Sequence, residues 1–540
     1  MCGIFGICES AAPRNGHPVP WVPLYKANIQ SGLLGHRGPD MRNHYRNEKN
    51  GNTIFHERLA INDLGCFQPI EGSAPNRQVV HNGEIYNCHD MQSEYLADVH
   101  FNTTCDSEVL IRLFDLFKGA EFCNLLDGTF ALAIVYDDLF FAARDPIGVK
   151  ALYYGSDECG RFMCSSELKV LNGFCQKISA FPPGHYYTPE TGMKRYYEPL
   201  WQNPSLEFKE TDYQQIRTVL RTATTKRLMS DAPLGMLLSG GLDSSLICSL
   251  AVKELRKQGR PLKTYAVGLP GSPDLAAARK VADFLGTDHT EVFFTVEEGI
   301  CALVKLVYHL ESYDVTTVRA ATPMFFLSKK IREDKIKVVL SGEGSDEILG
   351  GYLYFHNAPN DEEFHKETVR RVNLLSTADL LRADKSCMAN SVEVRVPFLD
   401  KAFLELAMAL KPSERRPTPE RIEKYVLRKA FDVDGDQYMP SDVLWRQKEQ
   451  FSDGVGYSWI DSLVKYCNET VSDDDLSSAA AQFPYNTPKT KEAFYIRAIF
   501  HKFYPSEAAA KTVLPWVPKW QLSEDPSGRA SEVHLQTTAT

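Results

Sequence analysis

The chain has 540 residues. A single hydrophobic core stops growing at roughly 250–300 residues, so at least two domains are expected. With 43% hydrophobic and 24% charged residues the composition is that of a globular protein, and 60 Lys plus Arg against 70 Asp plus Glu give a formal net charge of −10. That balance argues against a nucleic-acid partner bound through many phosphates, although a local site for a small anion is compatible with it.

The chain carries no apolar run of the ~18–20 residues that a membrane span needs. Its first residues lack the basic segment and long apolar stretch of a secretory signal. Thirteen cysteines are scattered without any C-x-x-C pair, which indicates reduced thiols. We therefore predict a cytoplasmic protein with no membrane partner.

Short β-type runs dominate the first part of the chain, up to about residue 199. They include residues 78–81, 130–136 and 139–143, with Asp137-Asp138 as a hairpin turn between the last two. Apolar positions at helical spacing predict a helix over residues 107–117. The pattern is typical of a sheet-rich α+β domain.

Residues 201–210 are predicted as a linker, and an amphipathic helix follows them. Strands then alternate with helices. The predicted strands are 235–238, 264–269, 290–294 and 337–340, and helices over 246–257 and 274–285 separate the first three. Such alternation predicts a parallel sheet with helices on both faces. The chain after about residue 352 is predicted to be mostly helical.

Cys2 is a candidate amino-terminal nucleophile. Removal of Met1 would leave its thiol beside a free α-amino group of pKa roughly 7.7–8.0, which supplies a base. For an isolated Met-Cys start, a small buried residue in a first strand is the simpler interpretation. Asn82 and Gly83, at a turn after a strand, add the donors that a tetrahedral oxyanion needs.

Recognition of an amino-acid substrate needs one cation and one anion. Arg58 can bind an α-carboxylate and Asp106 an α-ammonium group. Asp106 also suits a helix N-cap, which is a purely structural alternative.

Two glycine- and serine-rich loops follow apolar strands in the second part, at residues 239–245 and 341–347. Paired glycines let backbone N–H groups approach phosphate, and the start of a helix favours anions. The first loop lacks the G-x-x-x-x-G-K-[ST] pattern, so transfer of a terminal phosphate is not indicated. A plain strand-to-helix turn is the alternative. Carboxylates of the second loop, with Asp243, could hold Mg²⁺ against phosphate oxygens.

Several segments in order resemble the class II glutamine amidotransferase domain, an N-terminal-nucleophile hydrolase with an αββα sandwich. They are residues 1–4, 36–40, 58–60, 82–87, 126–128, 143–145 and 165–167. The resemblance implies hydrolysis of glutamine to glutamate and ammonia, with Cys2 as nucleophile and Asn82 and Gly83 as oxyanion hole. The glutamine-binding residues that it implies are Arg58, Leu59, Ala60, Ile61, Asn62, Asn82, Gly83, Glu84 and Asp106. Lys150-Ala151 departs from the expected Lys-Pro, which affects only a local turn.

The first phosphate loop resembles that of enzymes that adenylate a carbonyl and release pyrophosphate. Joined to the amidotransferase segments, it resembles the glutamine-hydrolysing asparagine synthetases in their eukaryotic form, up to about residue 520. Further matches lie at residues 272–274, 278–282, 313–319, 393–400, 444–448 and 451–454. The resemblance implies ATP-dependent amidation of aspartate through β-aspartyl-AMP, with release of AMP and pyrophosphate.

The same resemblance implies site residues in an α/β parallel-sheet domain of the ATP-pyrophosphatase type. Glu393 would be the base that takes a proton from ammonia, although an ion pair with Arg395 is the structural alternative. Asp243 and Asp346 would hold Mg²⁺. The implied ATP-binding residues are Leu238, Ser239, Gly240, Gly241, Leu242, Asp243, Ser244, Ser245, Val267, Ser341, Gly342 and Lys448.

The predicted domains are residues 1–200, 211–524 and a polar tail, 525–540. The predicted partners are glutamine, aspartate and ATP, and a homodimer by family likeness. Two other functions stay open at this stage. One is a glutamine-dependent adenylating amidotransferase with a different carboxylate acceptor. The other is a catalytically retired scaffold or sensor, which would be expected to lose Cys2, Asp243 or Glu393, and none of these is lost.

Overall fold

The computed structural model describes residues 2–9, 19–203, 205–448, 454–456 and 458–520. The predicted tail at 525–540 and most of the motif at 451–454 lie outside the described residues. The first part of the chain forms two six-stranded antiparallel sheets. Its strands are Gly3–Cys8 (β1), Met41–Arg46 (β2), Thr53–Arg58 (β3), Ile70–Glu71 (β4), Arg77–Ile85 (β5), Gly128–Tyr136 (β6), Leu139–Arg144 (β7), Tyr153–Ser156 (β8), Phe162–Ser165 (β9), Lys177–Ala180 (β10), His185–Thr188 (β11) and Gly192–Arg195 (β12).

The two sheets face each other, with strand orders β10-β8-β9-β1-β3-β2 and β12-β11-β7-β6-β5-β4. Side chains alternate along each strand, so Ile4 enters the apolar layer between the sheets while Phe5 packs on the outer side. Four helices cover the two outer faces. They are Leu24–Ser31 (α1), Cys88–Tyr95 (α2), Glu108–Phe117 (α3) and Leu168–Asn172 (α4). Because α1 and α4 pack on one sheet and α2 and α3 on the other, the αββα prediction is confirmed.

The second part is built around a five-stranded sheet in which every pairing is parallel, as the alternating pattern predicts. The strand order is β15-β14-β13-β16-β17. The strands are Leu234–Leu237 (β13), Lys263–Gly268 (β14), Asp288–Phe293 (β15), Val338–Leu340 (β16) and Glu393–Arg395 (β17).

Helices make up most of the rest of the described chain. They are Tyr213–Lys226 (α5), Leu242–Lys257 (α6), Pro273–Leu285 (α7), Val296–Leu310 (α8), Val315–Glu333 (α9), Ser345–Leu349 (α10), Asp361–Leu374 (α11), Asp379–Met388 (α12), Lys401–Met408 (α13), Pro412–Arg415 (α14), Tyr425–Phe431 (α15), Ser441–Leu444 (α16), Ser458–Thr470 (α17), Asp473–Ser477 (α18), Ala479–Gln482 (α19), Lys491–Phe503 (α20) and Glu507–Ala510 (α21). Short 3-10 helices are Gly32–Leu34, Ala120–Asn124, Leu200–Gln202, Leu353–Asn357, Leu375–Thr377 and Pro397–Leu399.

Two element predictions need correction. Helix α6 begins at Leu242 and not at residue 246, so the first phosphate loop leads directly into a helix. Strand β17 was missed, because its three residues lie in the part of the chain that was predicted to be mostly helical, although residues 392–396 alternate apolar and charged side chains as a strand does. The predicted linker contains a 3-10 helix at its start and a bridge between Lys209 and Leu410 near its end.

The two parts of the chain share an apolar core. One buried cluster joins Phe5 and Trp201 to Leu237 and Phe398. All thirteen cysteines lie within the described residues and are free thiols, as predicted. Within the described ranges, no helix is both long and apolar enough to cross a membrane.

Candidate active sites

Cys2 lies just before β1, buried, and three segments fix it in place. Its backbone N–H donates to Asn82 Oδ1 at 2.9 Å, and Arg37 Nε donates to its carbonyl oxygen at 3.1 Å. Its Sγ lies 3.9 Å from the carbonyl oxygen of Leu59. The thiol is therefore held between β5 and the end of β3.

The predicted oxyanion donors lie next to this thiol, inside strand β5 and not at a turn after a strand as predicted. The Asn82 amide uses Oδ1 for Cys2, while its Nδ2 is buried and has no hydrogen-bond partner among the described residues. Gly83 has φ +148°, and a Cβ there would lie 1.9 Å from the carbonyl oxygen of Thr129. Only glycine fits this backbone. The unbonded amide donor of Asn82 therefore lies next to a position that must be glycine.

The predicted glutamine-binding residues gather around the same point. Leu59, Ala60 and Ile61 are buried directly after β3, and Arg58 Nη2 donates to the carbonyl oxygen of Asn62 at 3.0 Å. The Asn62 side-chain amide also donates to Glu84. The structure thus brings residues 58–62 to the thiol.

Asp106 completes this group and does not cap a helix. Its Oδ2 accepts the backbone N–H of Ile85 at 2.8 Å, whereas α3 begins after Ser107 with no side-chain cap. Burial, followed by the charge of Cys105, raises the pKa of Asp106 well above its usual range. The N-cap alternative is therefore wrong.

The first phosphate loop connects β13 to α6. Gly240 has φ +76°, and a Cβ there would lie 2.4 Å from the backbone nitrogen of Ala278. The Ser239 backbone N–H donates to Ser244 Oγ at 3.1 Å, which closes the loop on itself. The start of α6 then presents its free N–H groups at the loop.

The second loop lies against the first. A Cβ on Gly342 would lie 2.7 Å from the backbone nitrogen of Ser244, so the two loops meet at backbone distance. Both follow carboxyl ends of adjacent parallel strands, β13 and β16, which is where open α/β sheets bind ligands.

A cavity opens at this edge of the sheet. The predicted ATP-binding residues that line it are Leu238, Ser239, Gly241, Leu242, Asp243, Ser244, Val267, Ser341, Gly342 and Lys448, together with the predicted metal ligand Asp346. Gly240 and Ser245 are not part of its wall. Gly240 packs against Ala277 and Ala278, and Ser245 is fully buried in α6.

Two lysines neutralise the carboxylates of the cavity. Lys424 Nζ lies 2.5 Å from Asp243 Oδ2 and 2.5 Å from Asp346 Oδ1, and Lys448 Nζ lies 2.7 Å from Asp346 Oδ2. Burial alone would raise the pKa of Asp346, but the two ammonium groups lower it to about 2. The same carboxylates raise the pKa of Lys448 against the effect of its burial.

Comparison with known proteins identifies the family of each part of the chain. The glutamine amidotransferase domain family matches residues 1–191, and the asparagine synthase family matches residues 215–362 and 356–526. The chain is 48% identical to asparagine synthetase (glutamine-hydrolyzing) 2 of Arabidopsis thaliana, over 98% of this chain and 94% of the relative. It is 46% identical to a probable glutamine-hydrolyzing asparagine synthetase of Dictyostelium discoideum over the whole of both chains. A third relative, from Schizosaccharomyces pombe, is 46% identical over 99% of each.

The chain belongs to the glutamine-hydrolysing asparagine synthetases. The predicted fold class is confirmed with it: an αββα sandwich carries the glutamine amidotransferase domain, and a parallel α/β sheet carries the asparagine synthase domain. In this synthetase the two candidate sites lie at opposite edges of that sheet. The backbone N–H of Ala232, before β13, donates to the carbonyl oxygen of Ile61 at 3.1 Å. Lys337 Nζ, before β16, donates to the carbonyl oxygen of Ala60 at 3.1 Å.

The structure places Glu393 apart from the predicted ATP-binding residues. It is the first residue of β17, at the amino edge, and does not belong to the described wall of the ATP cavity. Its carboxylate contacts Arg395 Nε at 2.6 Å and lies 3.8 Å from Lys150 Nζ. Burial would raise the pKa of Glu393, but these and other cationic groups hold it well below its usual range. Glu393 therefore forms an ion pair beside the predicted glutamine-binding residues, at the end of the sheet opposite the phosphate loops.

Sequence reasoning also missed residues of the cavity. Glu343 lines it and accepts a hydrogen bond from Arg382 Nη2 at 2.9 Å, and burial raises the pKa of Glu343 against the effect of that guanidinium. Glu343 belongs to a glycine-rich loop whose position signals a site. Arg382, Lys424 and Trp516 also line the cavity but come from distant segments with no local motif.

The asparagine synthetase cavity suits a divalent cation only together with a ligand. Asp243 Oδ1 is buried without a hydrogen-bond partner among the described residues, and Asp346 faces the same space. One or two carboxylates plus phosphate oxygens are the usual Mg²⁺ ligands. No cluster of three or more His, Cys, Asp or Glu able to hold a metal occurs in the described part of the chain. The residues present therefore fit Mg²⁺ bound with a nucleotide.

Proposed function

We propose that this chain makes asparagine from aspartate, with ATP as the activating substrate and glutamine as the source of ammonia. The reaction would pass through β-aspartyl-AMP and release AMP and pyrophosphate. The observation that carries the proposal is the joining, in one chain, of a buried amino-terminal thiol with an oxyanion pocket and a two-loop phosphate cavity. Relatives of nearly equal length carry this activity in their names.

Hydrolysis of glutamine would begin with attack by the Cys2 thiolate on the side-chain amide carbon. Once Met1 is removed, the Cys2 nitrogen that now donates to Asn82 becomes the α-amino base. Asn82 Nδ2 and the Gly83 N–H would stabilise the oxyanion. Arg58 and Asp106 would bind the α-carboxylate and α-ammonium groups of glutamine, with residues 59–62 and Glu84 as the surrounding wall.

Activation of aspartate is needed because a carboxylate has no leaving group that ammonia can displace. Attack of the aspartate side-chain carboxylate on the α-phosphorus of ATP would give a mixed anhydride and expel pyrophosphate. The loops at 239–245 and 341–347 would hold the phosphates, with Leu238 and Val267 at the adenosine and Lys448 on a phosphate. Asp243 and Asp346 would hold Mg²⁺, which when bound neutralises phosphate charge.

Amide formation needs a base to remove a proton from the attacking nitrogen. We assign this role to Glu343 in place of Glu393, because Glu343 lines the cavity, is not one of the two carboxylates assigned to Mg²⁺, and has a raised pKa. A partly buried carboxyl group whose pKa is raised is a stronger base than one held ionised by cations.

Three further predictions belong to this proposal. The domain division at residues 1–200 and 211–524 follows the change from antiparallel to parallel sheet. A cytoplasmic location is supported by the thirteen free thiols. The homodimer stays a prediction.

The test is a product assay on the purified chain with glutamine, ATP, Mg²⁺ and aspartate. Asparagine, AMP and pyrophosphate should form in equal amounts. ADP as product would contradict adenylation, and pyrophosphate release with another carboxylate but not with aspartate would favour a different acceptor. Cys2→Ala should lose glutamine-dependent synthesis and keep synthesis from added ammonia, whereas loss of both would contradict the division into two sites.

A further inference from the structure

Helix α12 connects the ATP cavity to the glutaminase half of the molecule. Asp379 and Arg382, on its first turn, line the cavity. Lys385, one turn later, donates from Nζ to the hydroxyl of Tyr153 in the first half at 2.8 Å. Residues 382 and 384 lie roughly 200° apart around a helix of 3.6 residues per turn, so they present opposite faces. Arg382 therefore faces the cavity, while Asp384 faces Arg37 in the first half of the chain.

On this other side of α12, Asp384 contacts Arg37, the residue that holds the backbone of Cys2. Its Oδ2 and Oδ1 accept from Arg37 Nη2 at 3.0 and 3.3 Å. Both side chains are buried, with Arg37 fully inaccessible to solvent. An ion pair without water between its groups holds a guanidinium in one orientation, because its donors are fixed in a plane.

Arg37 passes this constraint to the thiol-bearing residue. Its Nη1 donates to Glu167 Oε1 at 3.0 Å, and its Nε donates to the carbonyl oxygen of Cys2 at 3.1 Å. Glu167 belongs to the first half of the chain and Asp384 to the second. One carboxylate from each half therefore orients the guanidinium. The remaining donor of Arg37, Nε, holds the backbone of Cys2.

We propose that Asp384 is a positioning residue for glutamine hydrolysis, contributed by the synthetase half and acting on Cys2 through Arg37. The inference rests on the proposed function, since it assumes that Cys2 is the nucleophile. Without the carboxylate on α12, Glu167 is the one carboxylate left among the described partners of the guanidinium, so the orientation of Arg37 is less constrained. A nucleophile displaced by a fraction of an ångström loses attack geometry more than it loses substrate affinity.

The experiment is Asp384→Asn in the full-length chain, measured as glutamate release from glutamine and, separately, as asparagine formation from added ammonia. Glutaminase kcat should fall about ten- to a hundred-fold with little change in KM, while ammonia-dependent synthesis stays within about two-fold. Asp384→Glu, which restores the charge, should recover part of the kcat. Glu405→Gln is the matched control, because Glu405 accepts from the Tyr197 hydroxyl at 2.6 Å across the same interface without touching Arg37.

Three outcomes would overturn the proposal. They are an unchanged glutaminase kcat in Asp384→Asn, an equal loss of both activities, or an equal glutaminase loss in Glu405→Gln. Failure of the proposed function is distinguishable, because then the unsubstituted chain itself would release no glutamate or form no asparagine. A thermal unfolding midpoint for each variant separates a repositioned thiol from a chain that has not folded.

Discussion

At the scale of single residues, Asn82 shows how one side chain serves two purposes. Its carbonyl oxygen orients the nitrogen of Cys2, and its amino group is buried without a partner among the described residues. A buried donor without a partner destabilises a protein by roughly 1–3 kcal/mol, and under the proposed mechanism the substrate oxyanion would supply the missing acceptor.

Asn82→Asp tests this division, because it keeps an acceptor for Cys2 and removes the donor. We expect glutaminase kcat to fall about 10²- to 10³-fold, the usual effect of deleting one oxyanion donor. Asparagine formation from added ammonia should be unaffected. Steady-state rates of glutamate release would measure the first and a discontinuous asparagine assay the second. A fall of less than about two-fold in glutamate release would remove Asn82 from the oxyanion pocket.

Glu343→Gln tests the reassigned base. Amide formation from ammonia should fall by about 10²-fold or more, with glutamine hydrolysis retained. Glu347→Gln is its matched control. Burial, with Asp379 and Asp346 nearby, raises the pKa of Glu347 to about 8, so glutamine imitates the neutral form that predominates at pH 7. Equal rates for the two variants would show that the loop carboxylates do not differ in role.

The residues that sequence reasoning located best are those inside short motifs. Cys2, Asn82 and Asp243 could be proposed from their immediate neighbours in the sequence, because each belongs to a short motif with a characteristic local backbone. The position of Glu393 at the amino end of β17 was not predicted, because the strand itself was not recognised in the sequence. Lys424 lies in no recognisable motif, and only the folded chain brings it between the carboxylates of Asp243 and Asp346.

At the scale of elements, the loop between β13 and α6 depends on one glycine. Gly240→Ala would place a methyl group 2.4 Å from a backbone nitrogen of α7. The methyl group would displace either α7 or the loop between β13 and α6. We therefore predict that ATP-dependent synthesis falls at least about ten-fold while glutaminase activity is retained. Gly259→Ala is the control, because Gly259 has φ +66° but nothing within 4 Å of a Cβ. Pyrophosphate release measures both, and an equal effect would mean that backbone strain, and not the crowded loop, decides the result.

The elements themselves were largely predictable. Alternation of apolar runs with helical periods is a strong signal for parallel strands, and the antiparallel hairpin at Asp137-Asp138 was found from its turn. Helix boundaries next to glycines were not predictable. The serines and glycines at 239–245 are typical of a loop, although α6 already begins at Leu242. Strand β17 pairs with β16 across more than fifty residues, a distance over which no local pattern operates.

At the scale of the whole molecule, length predicted two domains and the motifs located the change between them. What could not be predicted is that the two share a core. Phe5 and Trp201 belong to the same buried cluster as Leu237 and Phe398. The apolar core is therefore continuous between the antiparallel and the parallel part of the chain. Apolar patterns show that a face is buried but not what it is buried against.

Two buried histidines should make the molecule sensitive to acid. His56 and His81 are each 1% exposed, and burial lowers the pKa of each to about 3. The unfolded chain protonates them below about 6.5 while the folded chain does not, so stability is complete above pH 6.5 and falls towards pH 3. Each contributes a slope of about 1.4 kcal/mol per pH unit.

Denaturant midpoints at pH 7 and pH 5.5 would measure this loss, and His56→Gln supplies the comparison. The variant should lose less stability between the two pH values, because one of the two protonation sites is gone. Parallel curves for the two proteins would show that His56 does not titrate between the folded and unfolded states.

The short strands of the parallel sheet set the thickness of the layer between the two candidate sites. The predicted glutamine-binding residues contact the chain at the amino ends of β13 and β16, and the phosphate loops leave their carboxyl ends. Between Lys337 and Ser341 the sheet is only three residues deep, about 10 Å at 3.3 Å per residue. Under the proposed mechanism this layer would keep glutamine and the activated aspartate apart, and ammonia released at one side would have to cross it or pass around it.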